Sequence, residues 1–234
     1  MAALAGFFVT VVGDAHGQAA TVTAQVAVVQ KVRNRQRDPQ VVLWLDPLDA
    51  TPPYTFPDAG KPVRLAQKNK TFEPHLLVVR AGSLVQFPNF DPFFHNVFSL
   101  FDGQRFDLGL YEAGTTRTVR FDRPGISYIF CNIHSQMSAV VVALDTPYYA
   151  VSGGNGSVVI PAVPPGRYML HVWHEGTSPK SLAALGRPVV IGADNTSLGA
   201  VRVVEDELPV AHKNKYGRDY DDPVPASSGY PHLP

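Results

Sequence analysis

The sequence has little charge and few helix-favouring runs. Only 17% of its 234 residues are charged, and 20 basic and 20 acidic side chains give a formal net charge of zero. Because neither sign predominates, we expect neither nucleic acid nor an acidic membrane surface as a partner. Gly and Pro contribute 19 and 21 residues, and valine is abundant. This composition predicts an all-β protein with many turns.

The sequence also lacks an apolar run long enough to cross a bilayer as a helix, which needs about 20 residues. A shorter apolar run occupies residues 2–12 and is followed by the small-residue site Gly17-Gln18-Ala19. Together these features predict that residues 1–20 are an export signal and that the protein is periplasmic, with no integral membrane segment beyond the signal. The alternative is a buried strand at a domain edge, because no basic residues precede the run.

Short β-favouring segments separated by turns make up most of the remaining chain. Between residues 76 and 144, turn signals such as Ala81-Gly82 and Pro124-Gly125 separate them at even spacing, which predicts a sandwich or barrel. Residues 46–62 are rich in proline and are predicted to be a loop or linker. Residues 205–234 are polar, proline-rich and without periodicity, which predicts a mobile tail.

The most informative stretch is the Cys-x2-His-x2-Met pattern of Cys131, His134 and Met137, which begins where a predicted strand ends. The one cysteine of an exported chain is open to oxidation unless a metal holds it as thiolate. Two imidazoles, a thiolate and a weak axial Met form the pattern of an electron-transfer copper site. His95, at the start of another predicted strand, would supply the second imidazole. Zinc is the alternative metal, although Met is a poor zinc ligand.

Residues 70–146 resemble cupredoxins of the plastocyanin and amicyanin type. The matching stretches are Phe72-Glu73-Pro74, Gly82-Ser83-Leu84-Val85-Gln86-Phe87, Asn89, His95-Asn96-Val97, Pro124-Gly125 and residues 131–137. The resemblance implies a Greek-key β-sandwich that binds one copper ion. Its equatorial ligands would be His95, Cys131 and His134, and its axial ligand would be Met137. Asn96 would tie the ligand loops together and hydrogen-bond toward the thiolate.

The segments on either side of this region resemble a second family, the carboxypeptidase regulatory-like or transthyretin-like β-sandwich. The matching segments are residues 41–45, 156–160, 163–168 with a Pro-Pro-Gly turn, and 171–175. This resemblance implies a split sandwich of residues 21–66 and 148–204, with the copper domain, residues 67–147, inserted in one of its loops. Insertions are tolerated at exposed loops when the two ends of the insert lie close together.

Other side chains have a functional and a structural interpretation. His75, on the first strand of the copper region, is a candidate fifth ligand or outer hydrogen-bond donor, or else a surface or interdomain histidine. His174 is a candidate ligand of an additional metal, or else packs between domains. Phe93 and Phe94, before His95, would form either an apolar docking patch or part of the core.

Electron transfer to and from a redox partner protein is the predicted function. Copper carriage or resistance is the alternative that keeps the metal, but such carriers use several Met residues and this chain has three, including Met1. No catalytic residue and no enzyme activity are predicted, because the chain has no His-x-His pair for a second copper centre. The last hypothesis is a metal-free interaction module.

Overall fold

The computed structural model describes residues 19–29, 39–49, 63–100, 103–206 and 213–220. Within these ranges the predicted all-β class is confirmed, because the chain forms strands and a single short helix. The predicted export signal lies outside the described residues except at its end, where Ala20 already begins the first strand.

The elements follow one another along the chain as short strands. The first nine are β1 (Ala20–Val29), β2 (Val42–Pro47), β3 (Val63–Arg64), β4 (Ala66–Lys68), β5 (Thr71–Glu73), β6 (Leu76–Arg80), β7 (Ser83–Pro88), β8 (His95–Ser99) and β9 (Phe106–Tyr111). The remainder are β10 (Thr116–Phe121), β11 (Gly125–Phe130), β12 (Ser138–Leu144), β13 (Tyr149–Val151), β14 (Ser157–Val163), β15 (Gly166–Trp173), α1 (Pro179–Leu185), β16 (Arg187–Ile191) and β17 (Thr196–Val204).

The described residues divide into two compact units. Unit 1 contains those before residue 50 together with Tyr148–Glu205, and unit 2 contains those from 63 to 147 and after 205. The flanking domain is predicted from the sequence to include residues up to 66, whereas β3 pairs in parallel with β7 of unit 2. Composition near β3 cannot reveal this pairing, because the partner strand lies about twenty residues further along.

Unit 1 is built from two sheets with the strand orders β14-β1-β17 and β13-β2-β15-β16. Side chains of β1 alternate between buried and more exposed positions, as a strand with one face on a core requires. Val22 of β1, Leu43 of β2 and Leu170 of β15 join one buried apolar cluster with residues from the other strands. Full burial of each Leu contributes about 1.5–3 kcal/mol.

Unit 2 is a sandwich of a five-stranded sheet, β6-β12-β11-β8-β9, and a three-stranded sheet, β10-β7-β3. β11 pairs with β8 rather than with β10, the strand before it in sequence, which is a Greek-key connection. Apolar side chains of both sheets, among them Phe87, Phe121 and Val141, form one core cluster. This arrangement is the cupredoxin-like β-sandwich that the sequence predicts.

The topology of unit 2 places several strand ends at one pole. β11 and β8 are antiparallel neighbours paired at Phe130 and Phe98, so the end of β11 lies beside the start of β8. β12 also starts at this end, because Phe130 pairs with Ser138. The pole therefore carries both the beginning of β8 and the loop of residues 131–137.

Residues 213–220, here called the C-terminal strap, contact the sandwich of unit 2 and are not the free tail predicted from composition. The backbone N–H of Lys215 donates to Asn132 Oδ1 at 2.8 Å, and the hydroxyl of Tyr220 donates to the carbonyl oxygen of Cys131 at 2.6 Å. These partners lie more than eighty residues apart in sequence, so local composition carries no signal for them. Residues 207–212 and 221–234 of the predicted tail lie outside the described residues.

Candidate metal centre

The fold brings three nitrogen and sulfur ligand atoms together at the pole of unit 2. Cys131 Sγ lies 3.7 Å from Nδ1 of His95 and 3.6 Å from Nδ1 of His134. All three ligand atoms lie within 4.8 Å of one another, and no other group of this kind occurs in the ranges that the structure describes. His95 and Cys131 are fully buried, whereas His134 is half-buried. One ion could be bound by all three.

Backbone hydrogen bonds close the loop that carries two of these residues. The N–H of Cys131 donates to the carbonyl oxygen of Met137 at 3.3 Å, and the N–H of Met137 donates to the carbonyl oxygen of His134 at 3.1 Å. The Met137 side chain is fully buried in the same core cluster as Cys131. The loop is therefore short and fixed at both ends. The cluster of ligand atoms itself consists of His, Cys and His.

Burial raises the pKa of the Cys131 thiol, while the backbone N–H groups of Asn96, Ile133 and His134 oppose this change. All three donors act on the sulfur, so they stabilise the thiolate form. The thiolate is the form of cysteine that binds metals. A positive ion at this position would replace the missing solvation and make deprotonation favourable.

The two imidazole rings share an apolar neighbour. Phe93 lies edge-on to His95 at 5.2 Å between ring centroids and 5.8 Å from the ring of His134. Burial, and then the charges of His95 and Lys70, hold the pKa of His134 below its usual range. A lowered pKa keeps the ring neutral near pH 7, as metal binding requires. Phe93 is 36% exposed and Phe94 is 56% exposed, so both side chains reach the surface, although Phe93 also contacts the two imidazole rings.

Asp91 is a residue of this site that sequence reasoning missed. Its Oδ2 lies 2.7 Å from Nε2 of His95, on the ring edge opposite to Cys131. Burial raises the pKa of Asp91, but hydrogen bonds from the Lys70 N–H, the His95 ring and the Asn69 N–H outweigh burial and hold the pKa below its ordinary value of 3.8. The only sign of this contact in the sequence is that a carboxylate occurs four residues before a candidate ligand.

Asn96 takes part in the site through its backbone as well as its side chain. Its backbone N–H acts on the Cys131 sulfur, and its side-chain amide donates to Asp107 Oδ1 at 2.8 Å. The other carboxylate oxygen of Asp107, Oδ2, accepts a hydrogen bond from the ammonium group of Lys215 at 2.7 Å. The chain of contacts therefore runs from the start of β8 through β9 to the C-terminal strap.

The two additional histidines considered from the sequence are not part of the cluster of ligand atoms. His75 directs Nδ1 to the carbonyl oxygen of Ser138 at 3.0 Å. His174 is buried in unit 1, with Nδ1 3.0 Å from the carbonyl oxygen of Gln40 and Nε2 3.1 Å from a carboxylate oxygen of Glu205. Both ring nitrogens of His174 are thus occupied within unit 1.

The donor set fits a first-row transition metal. Two ligands that bind one ion at about 2.0–2.3 Å and about 110–120° apart are separated by about 3.6–3.8 Å, and both measured separations from sulfur agree with this. Thiolate and imidazole ligands together are typical of copper and zinc sites. The separations of these donor atoms are compatible with either metal.

Comparisons with known proteins show a similarity of fold to solved structures over a small part of the chain. No protein-family model matches the chain, and no curated protein is significantly similar to it. A Cu-containing nitrite reductase from Thermus scotoductus SA-01 is 22% identical over 37% of this chain and 23% of its own length, with a TM-score of 0.35. The chain therefore spans about a quarter of that enzyme.

Two smaller proteins match the same share of the chain. A purple cupredoxin from Nitrosopumilus maritimus is 18% identical over 35% of this chain and 99% of its own, with a TM-score of 0.33. Amicyanin from Paracoccus versutus is 19% identical over 36% of this chain and 83% of its own, also with a TM-score of 0.33. Among the described residues, no helix is long and apolar enough to cross a membrane.

Proposed function

We propose that this protein is a periplasmic electron-transfer protein that binds one copper ion at the pole of unit 2. The equatorial ligands are His95 Nδ1, Cys131 Sγ and His134 Nδ1, and Met137 is the axial ligand. The observation that carries the proposal is the approach of both imidazole Nδ1 atoms to one buried cysteine sulfur at 3.6 and 3.7 Å. Bound copper would supply a one-electron couple.

The protein's own residues support transfer in preference to catalysis. The ligand loop is closed by backbone hydrogen bonds, and His95 and Cys131 are fully buried, which leaves little room for a substrate. Rigid ligands need little rearrangement when the charge of the ion changes. We therefore infer no enzyme activity.

A redox partner protein would approach on the side of His134, the one ligand of the cluster that is not fully buried. Ile133, beside it in sequence, is an exposed apolar side chain, as is Phe94 beside His95. Where such side chains form a contiguous patch, they mark protein–protein interaction sites. Unit 1, a two-sheet sandwich assembled from both ends of the chain, would be the transthyretin-like scaffold that the sequence suggests. Export through residues 1–20 is the basis for the periplasmic location.

The test is the spectrum of the full chain with one equivalent of Cu(II), recorded beside Cys131→Ser and Met137→Leu. We expect an intense visible band from thiolate-to-copper charge transfer and a narrow hyperfine splitting in the EPR spectrum, both absent in Cys131→Ser. Met137→Leu should keep the band and alter the reduction potential, because the axial ligand tunes it.

Other results would support the alternatives. A weak, broad spectrum that survives Cys131→Ser would place copper elsewhere and favour copper handling over electron transfer. No binding of copper would favour a metal-free interaction module. Tighter binding of Zn(II) than of copper in a direct competition, with no visible band, would overturn the proposed metal.

A further inference from the structure

Asp91 is a buried carboxylate that is held against the ring of His95 by hydrogen bonds from the backbone. It is 4% exposed. Its Oδ1 accepts the backbone N–H of Asn69 at 2.6 Å, and its Oδ2 accepts that of Lys70 at 2.9 Å. The same Oδ2 lies 2.7 Å from Nε2 of His95. Two backbone donors thus hold a carboxylate against the outer edge of a candidate ligand.

The local fold is built to present these two donors. Asn69 and Lys70 form the two-residue loop between β4 and β5, where Lys68 pairs with Thr71. Their φ angles are 54° and 55°, the values of a type I′ turn. Asn is common in that conformation, but Lys is not. One of the two turn residues therefore adopts a conformation that is uncommon for its type. In this conformation the N–H groups of both residues donate to Asp91.

Two further hydrogen bonds fix the backbone around Asp91. The backbone N–H of Asp91 donates to Asn89 Oδ1 at 3.0 Å, and Asn89 Nδ2 donates to the carbonyl oxygen of Phe93 at 2.8 Å. The segment between β7 and β8 is therefore tied together around Asp91. The N–H groups of Asn69 and Lys70 hold its carboxylate toward His95.

This geometry has two consequences for a metal centre. A carboxylate that accepts from Nε2–H keeps the ring proton on Nε2, so the Nδ1 lone pair is free to face Cys131, and it makes the imidazole a stronger donor. The carboxylate also adds a buried negative charge close to the ion. Such a charge favours the more positive of two oxidation states.

We propose that Asp91 is a positioning residue of the copper centre, which fixes the His95 tautomer and lowers the reduction potential by favouring Cu(II) over Cu(I). The inference rests on the proposed function. It adds a determinant of the potential that lies outside the four ligands.

The test compares Asp91→Asn with the wild-type full chain. The variant should keep the visible thiolate-to-copper band and lose about 10–100-fold in Cu(II) affinity, the usual effect of removing an outer partner of a ligand histidine. Cu(I) affinity should fall less, and each tenfold difference between the two losses raises the potential by about 59 mV. Affinities are measured by chelator competition and the potential by redox titration. Asp122→Asn, an exposed carboxylate of the same unit, is the matched control and should change neither.

A second measurement needs no variant that might misfold. In the metal-free wild-type chain, ¹H–¹⁵N spectra of the imidazoles should show His95 protonated at Nε2 and protected from exchange with water. A proton on Nδ1 would overturn the positioning role. If the wild-type band is present but Asp91→Asn leaves the potential unchanged, the charge effect is overturned alone. If wild-type shows no band, the proposed function fails, and the claim about the potential fails with it.

Discussion

The hydroxyl of Tyr220 donates a hydrogen bond of 2.6 Å to the carbonyl oxygen of Cys131, 89 residues earlier in the chain. The C-terminal strap also binds the next residue, because the Lys215 N–H donates to Asn132 Oδ1. The loop of the candidate metal centre is thus held from inside by Met137 and from outside by the strap. The strap is a structural part of the site.

Removal of the hydroxyl in Tyr220→Phe should destabilise unit 2 by about 1 kcal/mol, because the half-buried carbonyl oxygen of Cys131 loses a donor. The measurement is urea unfolding of the copper-loaded chain, in which loss of the visible band reports unfolding. Tyr216→Phe is the matched control, since Tyr216 is 71% exposed and should unfold like wild-type. Equal midpoints for both variants would show that the Tyr220 bond contributes nothing.

Asp107 should make stability depend on pH. Burial raises the pKa of Asp107, but hydrogen bonds from the Lys215 ammonium group, the Gly109 N–H and the Asn96 amide outweigh burial and hold it below 3.8. Because the folded-state pKa is lowered, the carboxylate stabilises the fold above the ordinary value, and this contribution disappears as the pH falls through the lowered value. Wild-type should therefore exceed Asp107→Asn in stability at pH 7, and the difference should shrink as the pH falls below about 4.

The check is a series of unfolding curves of the two proteins from pH 7 to pH 2.5. Asp219→Asn serves as control, because that side chain is 90% exposed and 3.9 Å from Lys213. Its difference from wild-type should be small at every pH. A difference between wild-type and Asp107→Asn that is constant with pH would contradict the linkage.

His174→Ala should destabilise unit 1 by about 3 kcal/mol and leave the copper spectrum unchanged. The buried ring lies 3.1 Å from the buried carboxylate of Glu205, and its truncation removes a buried hydrogen bond and leaves a cavity. Trp44 and Trp173, the two tryptophans of the chain, both lie in strands of unit 1, so their fluorescence reports its unfolding.

His171→Ala is the matched control for this change. His171 also faces a carboxylate, that of Asp46 at 3.1 Å, but both side chains are more than a third exposed. Its loss should cost less than about 1 kcal/mol. A weakened visible band in His174→Ala would instead give His174 a role at the metal.

His75→Ala should bind one equivalent of copper with the wild-type spectrum. Its Nδ1 lies 3.0 Å from the carbonyl oxygen of Ser138, so this ring nitrogen contacts the start of β12 and not the cluster of ligand atoms. Loss of this bond should cost about 1 kcal/mol in unfolding. The comparison is His134→Ala, which removes a member of the cluster and should abolish the band. A shift of the band in His75→Ala would make His75 a further ligand.

The fold class and the donor types of the site could be predicted from the amino-acid sequence alone. Alternating β-favouring residues and frequent turns predict sandwiches, because both signals are local properties of the backbone. Cys131 and His134 were recognisable together because they are three residues apart at the end of one strand. Their chemistry depends on residue type and spacing, which the sequence displays directly.

The surroundings of those donors could not be predicted, because they depend on contacts made in the folded chain. The tertiary structure placed His95 Nδ1 beside the sulfur, enclosed both nitrogens of His174 in unit 1, and assigned Asp91 and Tyr220 to the site. Each of these contacts requires that a particular side-chain atom point toward its partner in the folded chain. A buried polar atom takes whichever partner the packed strands bring within about 3 Å, and strand pairing across tens of residues determines that partner.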